Sequence, residues 1–169
     1  MSLQKELGLK KPFTNVAHEA VLNIVLTGSM LVKEGYHILK PFGLTDTQFN
    51  VLMLLNEQTA GGKISQTRLG DMMLVNRSNI TGIIDRMEQS GLVRRTANSD
   101  DRRVNDIELT DAGKELLKKA HDAYYKRIEE VMSVLSGPEN SQLCTSLEAI
   151  REQVRTRTAE KESSQSIGQ

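Results

Sequence analysis

The segment from Ser65 to Leu109 constrains the fold more than any other part of the chain. Ile80, Ile83, Ile84 and Met87 fall at offsets 0, 3, 4 and 7, which is one apolar stripe on a helix. Gly91 closes that helix as a C-cap. The next pattern begins at once: Leu92 to Ala97 reads as a strand, Asn98 to Asp101 as a turn, and Val104 to Leu109 as the returning strand. Upstream, Ser65 caps a short helix holding Leu69, Met72 and Met73, and the turn Leu74-Val75-Asn76 ends on a good N-cap for the helix that follows. Two short helices joined by a tight turn, the second running directly into a hairpin, make a winged helix-turn-helix.

The same lobe extends toward the N-terminus. Thr45-Asp46-Thr47-Gln48 is a capping box, in which Thr45 and Gln48 satisfy each other's orphan backbone donors. It opens a helix with Phe49, Leu52 and Leu55 on its apolar face and Val51 and Leu54 beside it. Gly61-Gly62 predicts a loop, and Lys63-Ile64 a very short strand. Outside the lobe the chain is helical on both sides. Apolar residues recur with helical spacing from Thr14 to Leu39 and stop at Pro41 and Gly43. Thr110 caps a long helix to about Leu135, and after Gly137-Pro138 a last helix carries the narrow seam Leu143, Leu147, Ile150 and Val154.

The expected organisation is an arm over 1–12, a helical layer from 13–43 and 111–157, the winged lobe over 44–110, and a flexible tail over 158–169. The fold class is mainly α with a small β-hairpin: a winged helix-turn-helix with flanking dimerisation helices. The lobe needs only about residues 45–110, so the amphipathic helices on either side need a surface to pack on. A second copy of the chain supplies one; a helical cap within one chain is the alternative.

At 100° per residue, a helix that turns Ile80, Ile83, Ile84 and Met87 inward points Ser78, Gly82, Asp85 and Gln89 away, with Asn79, Thr81 and Arg86 flanking them. That outer face is small and hydrogen-bonding, suited to a major groove, and Gly82 lets the backbone approach closely. The DNA-binding candidates are therefore Arg77, Ser78, Asn79, Thr81, Gly82 and Arg86 on the helix and Arg94, Arg95, Arg102 and Arg103 on the wing. Arginine suits the focused negative potential of a narrow minor groove. Asp85 sits awkwardly on this surface and is expected to pair with an arginine or to accept from a cytosine amine. Asp101 is expected to brace a wing arginine, with Arg103 the more natural partner and Arg102 the freer group.

The whole-chain totals are less telling than their distribution. Twenty-two basic residues balance twenty-two acidic ones. Between Lys63 and Arg103, Lys63, Arg68, Arg77, Arg86, Arg94, Arg95, Arg102 and Arg103 outnumber Asp71, Asp85, Glu88, Asp100 and Asp101, so a phosphate-facing surface is local. One cysteine, Cys144, excludes an intramolecular disulfide and is expected to be a small buried hydrophobe. His18, His37 and His121 are scattered without metal-ligand spacing, and no nucleophile elbow, phosphate loop or zinc-hydrolase motif occurs. No metal, cofactor, redox control or enzymatic activity is expected. No apolar run resembles a membrane span and no export signal opens the chain, which points to the cytoplasm.

Gly91-Leu92-Val93-Arg94-Arg95, Asp101-Arg102-Arg103 and Leu109-Thr110-Asp111-Ala112-Gly113 closely resemble the wing signature of the MarR family of bacterial regulators. Leu44-Thr45, Gln48-Phe49 and Val51-Leu52 also resemble that family, and the likeness covers roughly residues 14–157. The resemblance implies an obligate homodimer, its first helix and last two forming the dimerisation layer, on a pseudo-palindromic duplex with half-sites roughly 34 Å apart. It further implies release by a small aromatic or anionic effector in a cleft between the dimer helices and the DNA-binding lobe. Candidate lining residues are His18, Leu22, Tyr36, Phe49, Met53 and His121. The other reading of the same residues is a winged-helix protein-interaction or architectural module without an effector.

Overall fold

The computed structural model describes residues 2–57, 63–73, 80–98 and 105–166, the side chains of 159 and 161–166 excepted. They form two compact units, Met1–Tyr125 and Lys126–Gln169. In chain order the helices are α1 (Leu3–Glu6), α2 (Val16–Leu39), α3 (Asp46–Glu57), α4 (Gln66–Met72), α5 (Ile80–Gln89), α6 (Asp111–Met132) and α7 (Gly137–Ser166). The strands are β1 (Lys63–Ser65), β2 (Val93–Ala97) and β3 (Asn105–Leu109).

The expected caps form. Thr45 Oγ1 accepts from the Gln48 amide at 3.2 Å, and Gln48 Oε1 accepts from the Thr45 amide at 3.0 Å, so α3 opens on a reciprocal capping box. Ser65 Oγ accepts from the Arg68 amide at 3.2 Å at the start of α4. Gly91, at φ 72°, ends α5 in the left-handed conformation that only glycine adopts without cost. The arm contains the short helix α1, with Leu3 buried.

The expected two-stranded hairpin is extended to a three-stranded antiparallel sheet of order β1-β3-β2. The segment Lys63-Ile64-Ser65 pairs with Glu108-Ile107-Asp106. Burial of Ile64 beside Ile107 gives so short a strand its reason to pair. The core lies between this sheet and helices α3, α4 and α5. Leu52 and Leu55 of α3, Leu69 of α4, Ile84 and Met87 of α5, and Val93 and Ile107 of the sheet are all essentially inaccessible.

The start of α6 is locked to the base of the wing. Thr110 Oγ1 accepts from the Gly113 amide at 3.0 Å, as an N-cap does, and its hydroxyl lies 2.6 Å from Gly91 O; the Thr110 amide donates to Leu92 O at 3.1 Å. A Cβ on Gly113 would stand 2.1 Å from Leu92 O, so only glycine permits this approach. The Leu-Thr-Asp-Ala-Gly run is thus a joint, with a cap and a contact point three residues apart.

Helix α2 contributes little to this core. Of its 24 residues only Gly35 and Leu39 are buried, while Val21, Val25, Met30 and Val32 are exposed. The expectation that no segment resembles a membrane span is corrected here: Val16–Phe42 is long and apolar enough to cross a bilayer by length and composition. In the second unit, the Ser136 hydroxyl and amide donate to Glu139 Oε2 at 2.6 and 2.8 Å, which holds the Glu139 carboxyl below its ordinary pKa and starts α7. Pro138 fits the first turn of that helix because its missing N–H has no partner there. Helix α7 continues to Ser166, through most of the segment expected to be a flexible tail. Cys144, expected to be buried, is exposed, on a helix with no buried residue among those described.

Gly113→Ala is expected to lower stability by about 1–3 kcal/mol through forced separation of α6 from Leu92. A thermal unfolding midpoint equal to that of the parent protein would contradict this contact.

Candidate nucleic-acid interface

Helix α5 turns Ile83, Ile84 and Met87 into the core and leaves Thr81, Asp85, Arg86 and Gln89 exposed, with Gly82 half-buried among them. Its first turn is held from the neighbouring helix: Gln66 Nε2 of α4 donates to Thr81 Oγ1 at 2.9 Å. The Thr81 hydroxyl therefore has a fixed acceptor role and keeps its own proton to donate.

Strand periodicity separates the two consecutive wing arginines. Val93, Arg95 and Ala97 share one face of β2, and the burial of Val93 identifies that face as inward. Arg95 accordingly reaches back to α5. Its Nη2 is 2.6 Å from Asp85 Oδ1, its Nη1 2.5 Å from Glu88 Oε2, and its amide donates to Glu88 Oε1 at 2.9 Å. Gln66 Oε1 is 3.4 Å from both Nε and Nη2. One guanidinium thus ties α4, α5 and β2 together. The Arg95 side chain is 21% exposed, and its donors are engaged within the protein. Expected as a DNA-contacting group, it is a positioning residue for the helix and the wing.

Titration follows from that geometry. The backbone hydrogen bond from Arg95, then the side-chain bond, holds Glu88 below the ordinary carboxylate range. Burial acts to lower the Arg95 pKa, but the hydrogen bonds to Asp85 and Glu88 outweigh it and the value is raised. Asp85, the residue that looked wrong for DNA, is half of this clamp.

Arg94 points the other way. Register places Lys63, Glu108 and Arg94 in one row across all three strands. Glu108 is buried and lies between the two cations: Arg94 Nε donates to Glu108 Oε1, and Lys63 Nζ is 3.7 Å from Glu108 Oε2. Two positive charges face one negative in this row; Asp106, two residues away on the same face of β3, balances the second and accepts from Asn98 Nδ2 at 2.9 Å. The Arg94 side chain is 66% exposed, leaving guanidinium donors directed at solvent. Arg77, Ser78, Asn79, Asp101, Arg102 and Arg103 lie outside the described residues.

A separate cleft of about 270 Å³ opens beside α3. Phe49, Asn50, Met53, Leu54 and Glu57 of α3 line it, with Met72 at the end of α4 and Tyr124 and Tyr125 of α6. Phe49 packs on Tyr124 with ring centroids 4.8 Å apart, and burial, assisted by Asp46, pushes the Tyr124 phenol pKa up. Of the six effector candidates, the cleft gathers Phe49 and Met53. His121 stands one step behind, stacked on Tyr125 at 4.2 Å. His18 packs edge-on to Phe13, Tyr36 lies beside His37 under Lys40, and Leu22 is half-buried on α2, none of them at this cleft.

Gln66, Glu88, Lys63 and Glu108 are the supporting residues that sequence reasoning missed. Alternation along β2 from a buried Val93 was the available signal for Arg95. The partners of Lys63 and Glu108 depend on strand register and had none.

The fold and this constellation are those of a winged-helix DNA-binding protein. The MarR family model matches residues 44–104. The regulator MhqR of Bacillus subtilis (strain 168) is 36% identical over 105 residues, which are 62% of this chain and 70% of that protein. Among solved structures, AbsC, a MarR family transcriptional regulator from Streptomyces coelicolor, superposes with a TM-score of 0.78 at 25% identity, over 87% of this chain and 99% of that one. MosR of M. tuberculosis, in complex with DNA, superposes with a TM-score of 0.63 at 27% identity, over 80% and 98%. The chain belongs to the MarR family: it is a DNA-binding transcriptional regulator of that type and not an enzyme.

Arg95→Ala is expected to cost about 1–2 kcal/mol, the low end for charged hydrogen bonds because both acids are partly in solvent. Because the folded-state pKa of Glu88 is depressed, its contribution is present above the unfolded value near 4.5 and is lost as pH falls through the folded value. Stability measured by denaturant titration below about pH 4.5 should therefore fall less steeply in Glu88→Gln than in the parent protein; equal slopes would exclude the clamp from acid sensitivity.

Proposed function

We propose that the protein is a cytoplasmic homodimeric regulator that binds a pseudo-palindromic operator and is released from it by a small effector. The observation that carries the dimer is helix α2, whose Val21, Ile24, Val25, Met30 and Val32 are all exposed. Exposed apolar surface on this scale marks an interaction face. Leu143, Ile150 and Val154 of α7 are exposed as well. A second copy of the chain is the partner that two such helices in every protomer suit best, because a two-fold axis uses the same surface twice. The apolar composition of Val16–Phe42 is accounted for by this helix interface, in keeping with a family of transcription regulators.

On the DNA, the exposed α5 groups Thr81, Gly82 and Arg86, with Arg77, Ser78 and Asn79 before them, enter the major groove. Arg94 contacts phosphate from the outer sheet face. Arg102 or Arg103 enters the minor groove, with Asp101 as brace. The Arg95 clamp supports this reading because it orients helix and wing as one piece, so that both grooves are met in a single register. The cleft beside α3 is the effector site, and its aromatic walls support an aromatic ligand.

Duplexes selected from random DNA test this reading, with affinity followed by fluorescence anisotropy. Arg102→Ala/Arg103→Ala is expected to weaken the selected duplex at least tenfold while leaving the dimer intact; unchanged affinity would remove the wing from the interface. Affinity should also fall steeply between low and physiological salt. Val21→Glu/Val25→Glu is expected to give a folded monomer by sedimentation velocity with at least tenfold weaker duplex binding. A variant that stays dimeric would move the interface away from α2.

A further inference from the structure

The effector cleft carries a charge pattern that narrows its ligand further than its aromatic walls do. Glu57 is the one charged residue among the described lining residues, an exposed carboxylate with no ion pair to the described residues. No basic side chain is among the described lining residues. The lining also includes three aromatic residues, Phe49, Tyr124 and Tyr125, and the thioethers of Met53 and Met72.

Each component favours a positive charge. Ring faces carry the negative side of the aromatic quadrupole and attract ammonium groups. Thioethers are polarisable and adapt to the body of a small ligand. A carboxylate attracts a cation and repels an anion at short range. The volume, about 270 Å³, falls just below the roughly 300–1,000 Å³ of sites for drug-sized molecules. That suits one ring with a short substituent.

We propose that this cleft binds a small organic cation, an aryl or alkyl ammonium compound, with the ring or chain against Met53, Met72 and the Tyr124 and Tyr125 side of the cleft and the ammonium group at Glu57. The cation site rests on the effector-cleft reading above and departs from the anionic half of the expectation drawn from the sequence. Asn50, also on the wall, offers an amide oxygen to an ammonium hydrogen.

The test is calorimetric titration of the full-length protein at neutral pH with two probes of matched size, 2-phenylethylammonium and 3-phenylpropanoate. The cation is expected to bind at least tenfold more tightly than the carboxylate, and Glu57→Gln to remove most of that ratio. The ratio within each variant is its own control, so a general change in stability does not imitate the effect. Equal or tighter binding of the carboxylate, a ratio unchanged in Glu57→Gln, or no binding of either probe at millimolar concentration overturns the proposal. Duplex binding by the same preparation separates two failures. Retained duplex without preference for the cation overturns the cation site alone, whereas loss of duplex binding overturns the regulator reading and the effector role with it.

Discussion

One inward-facing arginine organises the DNA-binding lobe. A winged helix-turn-helix presents a helix and a hairpin to two different grooves, and these elements are joined by a single short turn around Gly91. Apolar packing alone sets the distance between them but not their relative rotation, because hydrophobic contact is non-directional. Arg95 supplies direction. Its planar guanidinium meets Asp85 and Glu88 one turn apart on α5 and reaches Gln66 on α4, so the rotation of α5 about its own axis is coupled to the position of β2. The bridge from Gln66 to Thr81 adds a second, uncharged tie at the other end of the helix.

The outer face of the same sheet uses charge in the opposite way. Inside, two acids hold one arginine; outside, two cations flank one buried acid. The inner arrangement consumes positive charge to fix geometry. The outer one holds Lys63 and Arg94 about a shared carboxylate while leaving much of the Arg94 side chain in solvent. The joint at Thr110 and Gly113 fastens this sheet to α6, the helix that also carries Tyr124 and Tyr125 into the cleft. Cleft and sheet therefore share helix α6.

Most of the lobe was legible in the sequence because its signals are local. The stripe of Ile80, Ile83, Ile84 and Met87, the box of Thr45 and Gln48, and the caps at Ser65, Gly91 and Thr110 each depend on residues within one or two turns, and each forms as spaced. The wing strands were legible for the same reason, since alternation is a period-two pattern. The third strand was a weak signal because Lys63-Ile64-Ser65 has strand character only through its partner β3, more than forty residues away in the chain.

What the sequence by itself determined is therefore the order of elements, their caps, the inward face of the recognition helix and the family to which the chain belongs. Only the tertiary structure decided the opposite facing of Arg94 and Arg95, the placing of Glu108 between Lys63 and Arg94, and the meeting of Phe49 and Met53 with Tyr124 and Tyr125 at one cleft. The reason is physical. Helix periodicity and capping are fixed by neighbours along the chain, whereas ion pairs across strands and the walls of a cleft are fixed by register and packing between segments that sequence spacing does not bring together.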